Sequence, residues 1–220
     1  MPTLTRDILE DGSYFGNLGL PSELMWTPAQ LEASLASTLR SKPMGDIWVF
    51  AYGSLMWNPL LQFVGRHNAV LDGWHRSFCL QAVVGRGSIA SPGRMLALEP
   101  GGHVSGIALR IPEDMAPREL SLLWVREMAA GTYIPRWESV ALQDGRCITA
   151  LVFVVNPSHS LYVADASVDV VARLIVLAAG SLGSNADYVR CLGSALGDAG
   201  LDDPYIDALV CELTALAGTA

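Results

Sequence analysis

A carboxylate set on the apolar face of a helix is the most chemically telling residue of this chain. Pro117 to Gly131 reads as a helix with proline at its start and glycine at its end, and Leu120, Leu123 and Trp124 mark its apolar face. Glu127 falls on that face, three residues after Trp124 and four after Leu123. Burying a charge is costly unless it is paired. An unpaired Glu127 would therefore have its pKa driven toward neutrality, the range in which a general acid or base works. A core glutamate salt-bridged to Arg126 or Arg136 would show the same spacing.

The second feature is Ile47 to Trp57. Ile47 to Ala51 are apolar without a break and include two aromatics and two β-branched side chains, which fits a strand buried on both faces. Tyr52-Gly53-Ser54 then breaks the run. Gly53 lacks a Cβ, so its backbone is freer and a ligand can approach its amide closely. Successive exposed amides in such a turn make a concavity for a carboxylate or a phosphate. An ordinary strand-to-loop corner would look the same. Arg86, in the loop Gly85-Arg86-Gly87-Ser88, could grip a substrate carboxylate in two places or form a surface salt bridge. Ser54 lacks the GxSxG elbow and a His partner that a nucleophile would need.

Composition removes several classes of function. The formal net charge is −8, and the 14 Lys and Arg are scattered, which argues against a phosphate-backbone partner. His67, His75, His103 and His159 are dispersed, so a metal site is not expected. No GxGxxG leads from a strand into a helix, and Met25, Met44, Met56, Met95, Met115 and Met128 form no stripe and read as core filler. The longest apolar run, Ile148 to Val155, is too short to span a bilayer. Met1 to Asp7 lacks the basic start and apolar core of a leader, which points to the cytoplasm. Cys79, Cys147, Cys191 and Cys211 include no CxxC pair and are expected to be reduced thiols, mostly packed as small hydrophobes.

The elements that must position these groups form an α+β pattern. Residues 1–45 look like an extension. Leu4 to Leu24 reads as irregular, and a helix follows with Thr27 at its N-cap, Pro28 at its first position, Gln30 completing a capping box, and Leu31, Leu35 and Leu39 as its stripe. In residues 46–220 the spacing predicts a strand over Ala69 to Leu80 with a bulge at Gly73. It also predicts a hairpin turning at Pro100-Gly101-Gly102 and a second turning at Gln143-Asp144-Gly145 between Trp137 to Leu142 and Cys147 to Val155. Such closely spaced strands suggest a mixed or antiparallel sheet curling toward a barrel. Val168 to Leu182, Asn185 to Leu196 and Pro204 to Leu216 have helical spacing.

Trp48 to Trp57 closely resembles the N-terminal signature of the ChaC family of glutathione-specific γ-glutamylcyclotransferases. The similarity continues through Gly73 to Cys79, Gly85 to Ser88, Pro92 to Arg94, Trp124 to Met128 with Tyr133 after it, and Asn185 to Tyr188, over about residues 46 to 213. The first residues, Leu24-Met25-Trp26 among them, resemble the extension of longer bacterial members. The resemblance implies a γ-glutamylcyclotransferase-type mixed β-barrel with peripheral helices. It also implies cleavage of glutathione into 5-oxoproline and cysteinylglycine without metal or cofactor. Tyr52, Gly53, Ser54 and Leu55 would hold the γ-glutamyl moiety, Glu127 would be the acid/base, and Tyr133 and Tyr188 would lie at the substrate. In the family, glycine often directly precedes the tyrosine after Arg-Glu, whereas here Thr132 stands between Gly131 and Tyr133.

On this reading the substrate's α-amine attacks its own γ-carbonyl, so the enzyme holds a folded-over conformer and manages protons. Other γ-glutamyl amino acids or amines are an alternative, since acceptor specificity would lie in loops such as Gly85 to Arg94 and Met128 to Trp137. The family name comes from an association with cation transport, which makes a non-catalytic transport accessory a further alternative. The intact Glu127 and the intact turn argue against it. The acidic surface and modest size are compatible with a monomer that has no nucleic-acid or membrane partner.

Overall fold

The computed structural model describes residues 4–218. Met1-Pro2-Thr3, part of the start considered as a leader, lies outside the described residues. The centre is a closed five-stranded barrel. Its strands are β1 (Ile47–Ala51), β2 (Gly65–Ala82), β3 (Gly93–Ile111), β4 (Tyr133–Leu142) and β5 (Cys147–Val155), in the order β1-β3-β2-β4-β5. The ladders are antiparallel except at the seam, where β1 runs parallel to β5 through Trp48 opposite Ala150 and Val49 opposite Leu151. The sheet is mixed, and it closes as the strand spacing suggested.

The unbroken apolar run of β1 has its explanation in burial: Val49, Phe50 and Ala51 have no exposed surface. With Phe78, Leu98, Ile107, Leu123 and Leu151 they belong to one continuous core. Each such side chain removed from water contributes on the order of 1.5–3 kcal/mol.

Gly73 forms the expected bulge, with φ +82° and a register shift between Asp72 and Trp74. The expected hairpin at Pro100-Gly101-Gly102 is a correction. Both halves pair with β2, Trp74 opposite Pro100 and Asp72 opposite His103, so β3 is one long strand. Gly101 and Gly102, at φ +116° and +66°, stand against the single Gly73 and bend the ribbon without reversing it. The true β2–β3 connection is the loop that carries Arg86. The Gln143-Asp144-Gly145 turn does join β4 to β5.

Helices surround the barrel. Residues read as irregular form two short helices, α1 (Arg6–Glu10) and α2 (Ser13–Leu18). Two left-handed glycines, Gly12 and Gly19, bracket α2 at its ends. In α3 (Pro28–Leu39) the Thr27–Gln30 capping box is present in both directions. Its flank receives the indole of Trp124 at Ser34 Oγ (3.2 Å) and that of Trp137 at the Thr38 carbonyl (3.0 Å). The interior helix, α4 (Ala116–Glu127), ends on Glu127, earlier than expected. Met128 caps it, and Gly131 takes its left-handed conformation beyond the helix.

The stretch expected as one helix from Val168 to Leu182 is also shorter. It comprises α5 (Val168–Ile175) followed by a small hairpin of β6 (Ala179–Gly180) and β7 (Gly183–Ser184). A tertiary fit overrides local propensity here. Gly180 packs on the Arg86 loop so closely that a Cβ would stand 2.5 Å from the Gly87 carbonyl oxygen. Two helices complete the fold, α6 (Asn185–Asp198) and α7 (Pro204–Ala217). Two packing expectations fail. Met44 is 98% exposed, not core filler, and of the four unpaired cysteines only Cys79 is buried. No helix among the described residues is long and apolar enough to cross a membrane.

Candidate active site

The turn after β1 is a single 3₁₀ turn, Ser54–Met56, entered through Gly53 at φ −130°, ψ −134°. A Cβ at Gly53 would meet the Tyr188 hydroxyl at 3.0 Å, so any other residue would have to push the turn and that phenol slightly apart. The turn is fixed from behind by a buried guanidinium. Arg76 donates to the carbonyls of Tyr52 (2.8 Å) and Ser105 (2.7 Å) and pairs with Asp203 (2.7 Å). Burial alone would push such a charge toward neutrality, and Asp203 opposes that. Tyr52 turns into the barrel, and its hydroxyl donates to the Phe153 carbonyl at 2.6 Å.

Glu127 approaches the turn from the end of α4. Among the described residues its one cationic partner at contact distance is Arg126, with Nε 3.0 Å from Oε1. The side chain keeps 17% exposure, and it lines a cavity of about 530 Å³. Desolvation raises its pKa, and Arg126 opposes the shift without cancelling it. Its place at the C-terminus of α4 acts in the same direction, because the helix dipole disfavours an anion there. Arg126 is committed elsewhere as well. It donates to the carbonyls of Asn58 (2.6 Å) and Pro59 (3.1 Å) and to Ser54 Oγ (2.8 Å). One arginine thus ties the helix end to the turn and leaves the carboxylate half-paired.

Two phenols complete the inner wall. Tyr133, at the start of β4, donates to the Leu96 carbonyl (2.8 Å). Tyr188 stands on α6 with Trp57 against its ring edge (5.3 Å between centroids) and the Arg86 guanidinium over its face (5.9 Å). Desolvation first, then the charge of Glu127, pushes the Tyr188 phenol up to about 12. Asn185 sets the position of α6. Fully buried, it accepts the Arg94 amide (2.6 Å) and donates to the Arg94 carbonyl (2.9 Å). Arg86 itself is held at the rim by its hydrogen bond to the Ser184 carbonyl (3.2 Å).

All eight residues singled out in the sequence, Tyr52, Gly53, Ser54, Leu55, Arg86, Glu127, Tyr133 and Tyr188, line this one cavity. Sequence reasoning missed two contributors. Arg126 had been weighed only as a partner for Glu127, although its guanidinium, with five donors, can serve several acceptors at once. The other is the N-terminal segment, where Leu4, Tyr14, Leu18 and Leu20 form part of the wall; the pair Tyr14-Phe15 in a glycine-containing stretch gives no signal of this. Among the described residues no cluster of three or more His, Cys, Asp or Glu is placed to hold a metal.

What the geometry offers is a half-paired carboxyl with a raised pKa beside a backbone turn, in a cleft lined mainly by apolar side chains. The chain is 44% identical to the glutathione-specific γ-glutamylcyclotransferase of Escherichia coli, over 97% of this chain and 93% of that protein. It is 27% identical to glutathione-specific γ-glutamylcyclotransferase 1 of Homo sapiens, over 84% and 87% of the two chains. Among solved structures, a yeast γ-glutamyl cyclotransferase specific to glutathione superposes with a TM-score of 0.72 at 22% identity, over 78% of this chain and 96% of that one, and it shares the fold. The family model described as ChaC-like protein matches residues 47–216, and the chain therefore belongs to that family.

Proposed function

We propose that this protein is a γ-glutamylcyclotransferase that converts glutathione to 5-oxoproline and cysteinylglycine. The observation that carries the reading is the half-paired Glu127 carboxyl, its pKa raised, on the same cavity as the Tyr52–Leu55 turn and tied to it through Arg126. The similarity to the Escherichia coli protein supports glutathione as the substrate.

The substrate supplies both reacting groups. Its α-amine nitrogen bonds to the γ-carbonyl carbon, and the amide bond to cysteinylglycine breaks. The α-ammonium nitrogen loses two protons in becoming the lactam N–H and the departing nitrogen gains two in becoming the ammonium of cysteinylglycine, so neither water nor an oxidant is consumed. Holding the folded-over conformer converts the attack into a pre-oriented intramolecular step. Glu127 takes a proton from the ammonium to free the attacking amine and relays protons from the attacking to the leaving nitrogen, which suits a carboxyl whose pKa lies above the ordinary range. Amides of the turn bind the substrate carboxylate or the developing oxyanion without rearranging. Arg86 is placed at the rim for a second substrate carboxylate, and Tyr133 and Tyr188 shape the pocket around the folded γ-glutamyl group. Free cysteines and a thiol substrate suit a reducing, cytoplasmic setting.

The test is incubation of the purified chain with glutathione and no added metal, with both products quantified. Equimolar 5-oxoproline and cysteinylglycine are expected. Turnover of other γ-glutamyl amides without glutathione turnover would assign a different substrate. No turnover of any of them would leave a binding protein.

A further inference from the structure

The family model begins at residue 47, yet the cavity wall does not. Residues Leu4, Tyr14, Leu18 and Leu20 lie on it beside Glu127, Ala129 and Ala130. Tyr14 and Leu18 are four apart on α2, which brings both to one face of that helix, and both line the cavity. The segment is anchored at three separated points. Arg6 grips Glu119, a residue 1% exposed, with two hydrogen bonds of 2.7 Å. The Asn58 side chain donates to the Leu4 carbonyl (3.0 Å), and the Trp26 amide donates to the Ala129 carbonyl (2.8 Å). The Trp26 indole closes over Gly131, filling the space a side chain would need there. These anchors all bear on α4, on the residues just after it or on the stretch after the 3₁₀ turn, so the wall is indexed to Glu127.

Within this mostly aliphatic wall, Tyr14 supplies the phenol. Its ring packs with Leu9, Leu122 and Ala129. The hydroxyl makes no hydrogen bond among the described residues, although it lies close enough to feel the charges of Glu127 and Arg126. A largely buried phenol facing an open cavity is a donor and acceptor held in readiness for a ligand.

We infer that the N-terminal segment forms the leaving-group side of the substrate pocket, with the Tyr14 hydroxyl hydrogen-bonding the part of the substrate beyond the γ-glutamyl amide. The inference rests on the cyclotransferase reading. The turn at Tyr52–Leu55 takes the γ-glutamyl end, and Glu127 stands at the bond to be broken. Leu4, Tyr14 and Leu18 of this wall pack with Ala129, two residues beyond Glu127, and the wall is thereby set against the departing amine component. One polar group among aliphatic side chains suits the cysteinyl part of the leaving group, whose thiol and peptide bond carry no charge, better than a charged amine. The extension is then a specificity element.

The experiment compares wild type, Tyr14→Phe and Arg6→Ala in the full chain, with steady-state kinetics on glutathione and on γ-glutamyl amides of other amines, and with inhibition by 5-oxoproline. That product contains the γ-glutamyl end and none of the leaving group. Tyr14→Phe keeps the ring packing, and its KM for glutathione is expected to rise by about 3- to 10-fold, the range of one neutral hydrogen bond. Its 5-oxoproline inhibition constant should stay unchanged. Arg6→Ala, which frees the segment while the barrel stays folded by circular dichroism, should narrow the preference for glutathione over the other amides. An unchanged KM and preference in both variants would overturn the inference while leaving the cyclotransferase reading intact. Equal weakening of glutathione and 5-oxoproline would also overturn it, because Tyr14 would then serve the γ-glutamyl end. An inactive wild type would instead remove the reading beneath it.

Discussion

Glu119 and Glu127 stand eight residues apart on one helix, and their surroundings drive them in opposite directions. Burial of Glu119 would raise its pKa, but the two-pronged grip of Arg6 and the Gln62 amide (2.8 Å) outweigh it, and the net shift is downward. Glu127 meets the same desolvation with one cation that is shared among three other acceptors, and the net shift is upward. What separates the two carboxylates is how many of their lone pairs are satisfied, since the less exposed of them is the one whose pKa is lowered. The first fastens the pocket wall, and the second is left with capacity for a substrate proton.

The contrast is sharpest where one residue is removed from each pair. Glu127→Gln should lower kcat/KM for glutathione by about a thousandfold, or about 4 kcal/mol of barrier. A loss below tenfold would remove Glu127 from the proton transfers. The same variant should not be less stable. Because the folded-state pKa is raised, ionising Glu127 opposes folding once the pH exceeds the ordinary carboxylate range near 4.5. Chemical denaturation should therefore find Glu127→Gln as stable as wild type or more so at pH 7, with the difference vanishing in acid. In the wild type, the acidic limb of kcat/KM against pH should fall above the ordinary carboxylate range.

Glu119→Ala should behave in the opposite sense. It removes the acceptor of two Arg6 hydrogen bonds and of the Gln62 amide and should cost about 3 kcal/mol at pH 7 in urea unfolding. Since the folded pKa of Glu119 is lowered, its contribution is complete above the unfolded value and is lost as the pH falls. The deficit should shrink in acid. A neutral effect at pH 7 would mean that the clip does not hold the segment.

A milder probe acts on the geometry between turn and phenol. Gly53→Ala puts a methyl 3.0 Å from the Tyr188 hydroxyl and 3.4 Å from Leu96 Cδ2. It should cost about 1 kcal/mol of stability and roughly tenfold in activity, by shifting the turn a few tenths of an ångström. Full activity would show that the contact between turn and phenol can relax freely.

Much of this was legible in the residues. The apolar run of β1 could be satisfied only in a doubly covered strand, and Thr27-Pro28 with Gln30 spelled out a helix start. Glu127 stood out because its type contradicted its face. The errors share a physical cause, since each depended on partners distant in the chain. Pro100-Gly101-Gly102 has turn chemistry, but whether glycines reverse a chain or bulge it depends on the facing strand, here Gly73. The end of α5 is set by how Gly180 seats against the Arg86 loop, ninety-odd residues earlier. The site residues could be named, but their convergence could not be derived without the barrel. Nothing local in Tyr14 announces that it borders the cavity, because its partners Leu122 and Ala129 lie more than a hundred positions on.

Asp203 has a standing in this molecule that its position hides. One of its oxygens caps α7 by accepting the amides of Tyr205 and Ile206, while the other holds Arg76, whose guanidinium fixes the Tyr52 carbonyl. Nothing of Asp203 lines the cavity. In a random-mutagenesis screen scored only for lost turnover, it would nonetheless cluster with the pocket residues, and a map of such hits drawn on the surface would suggest a second site where there is only a support for the first.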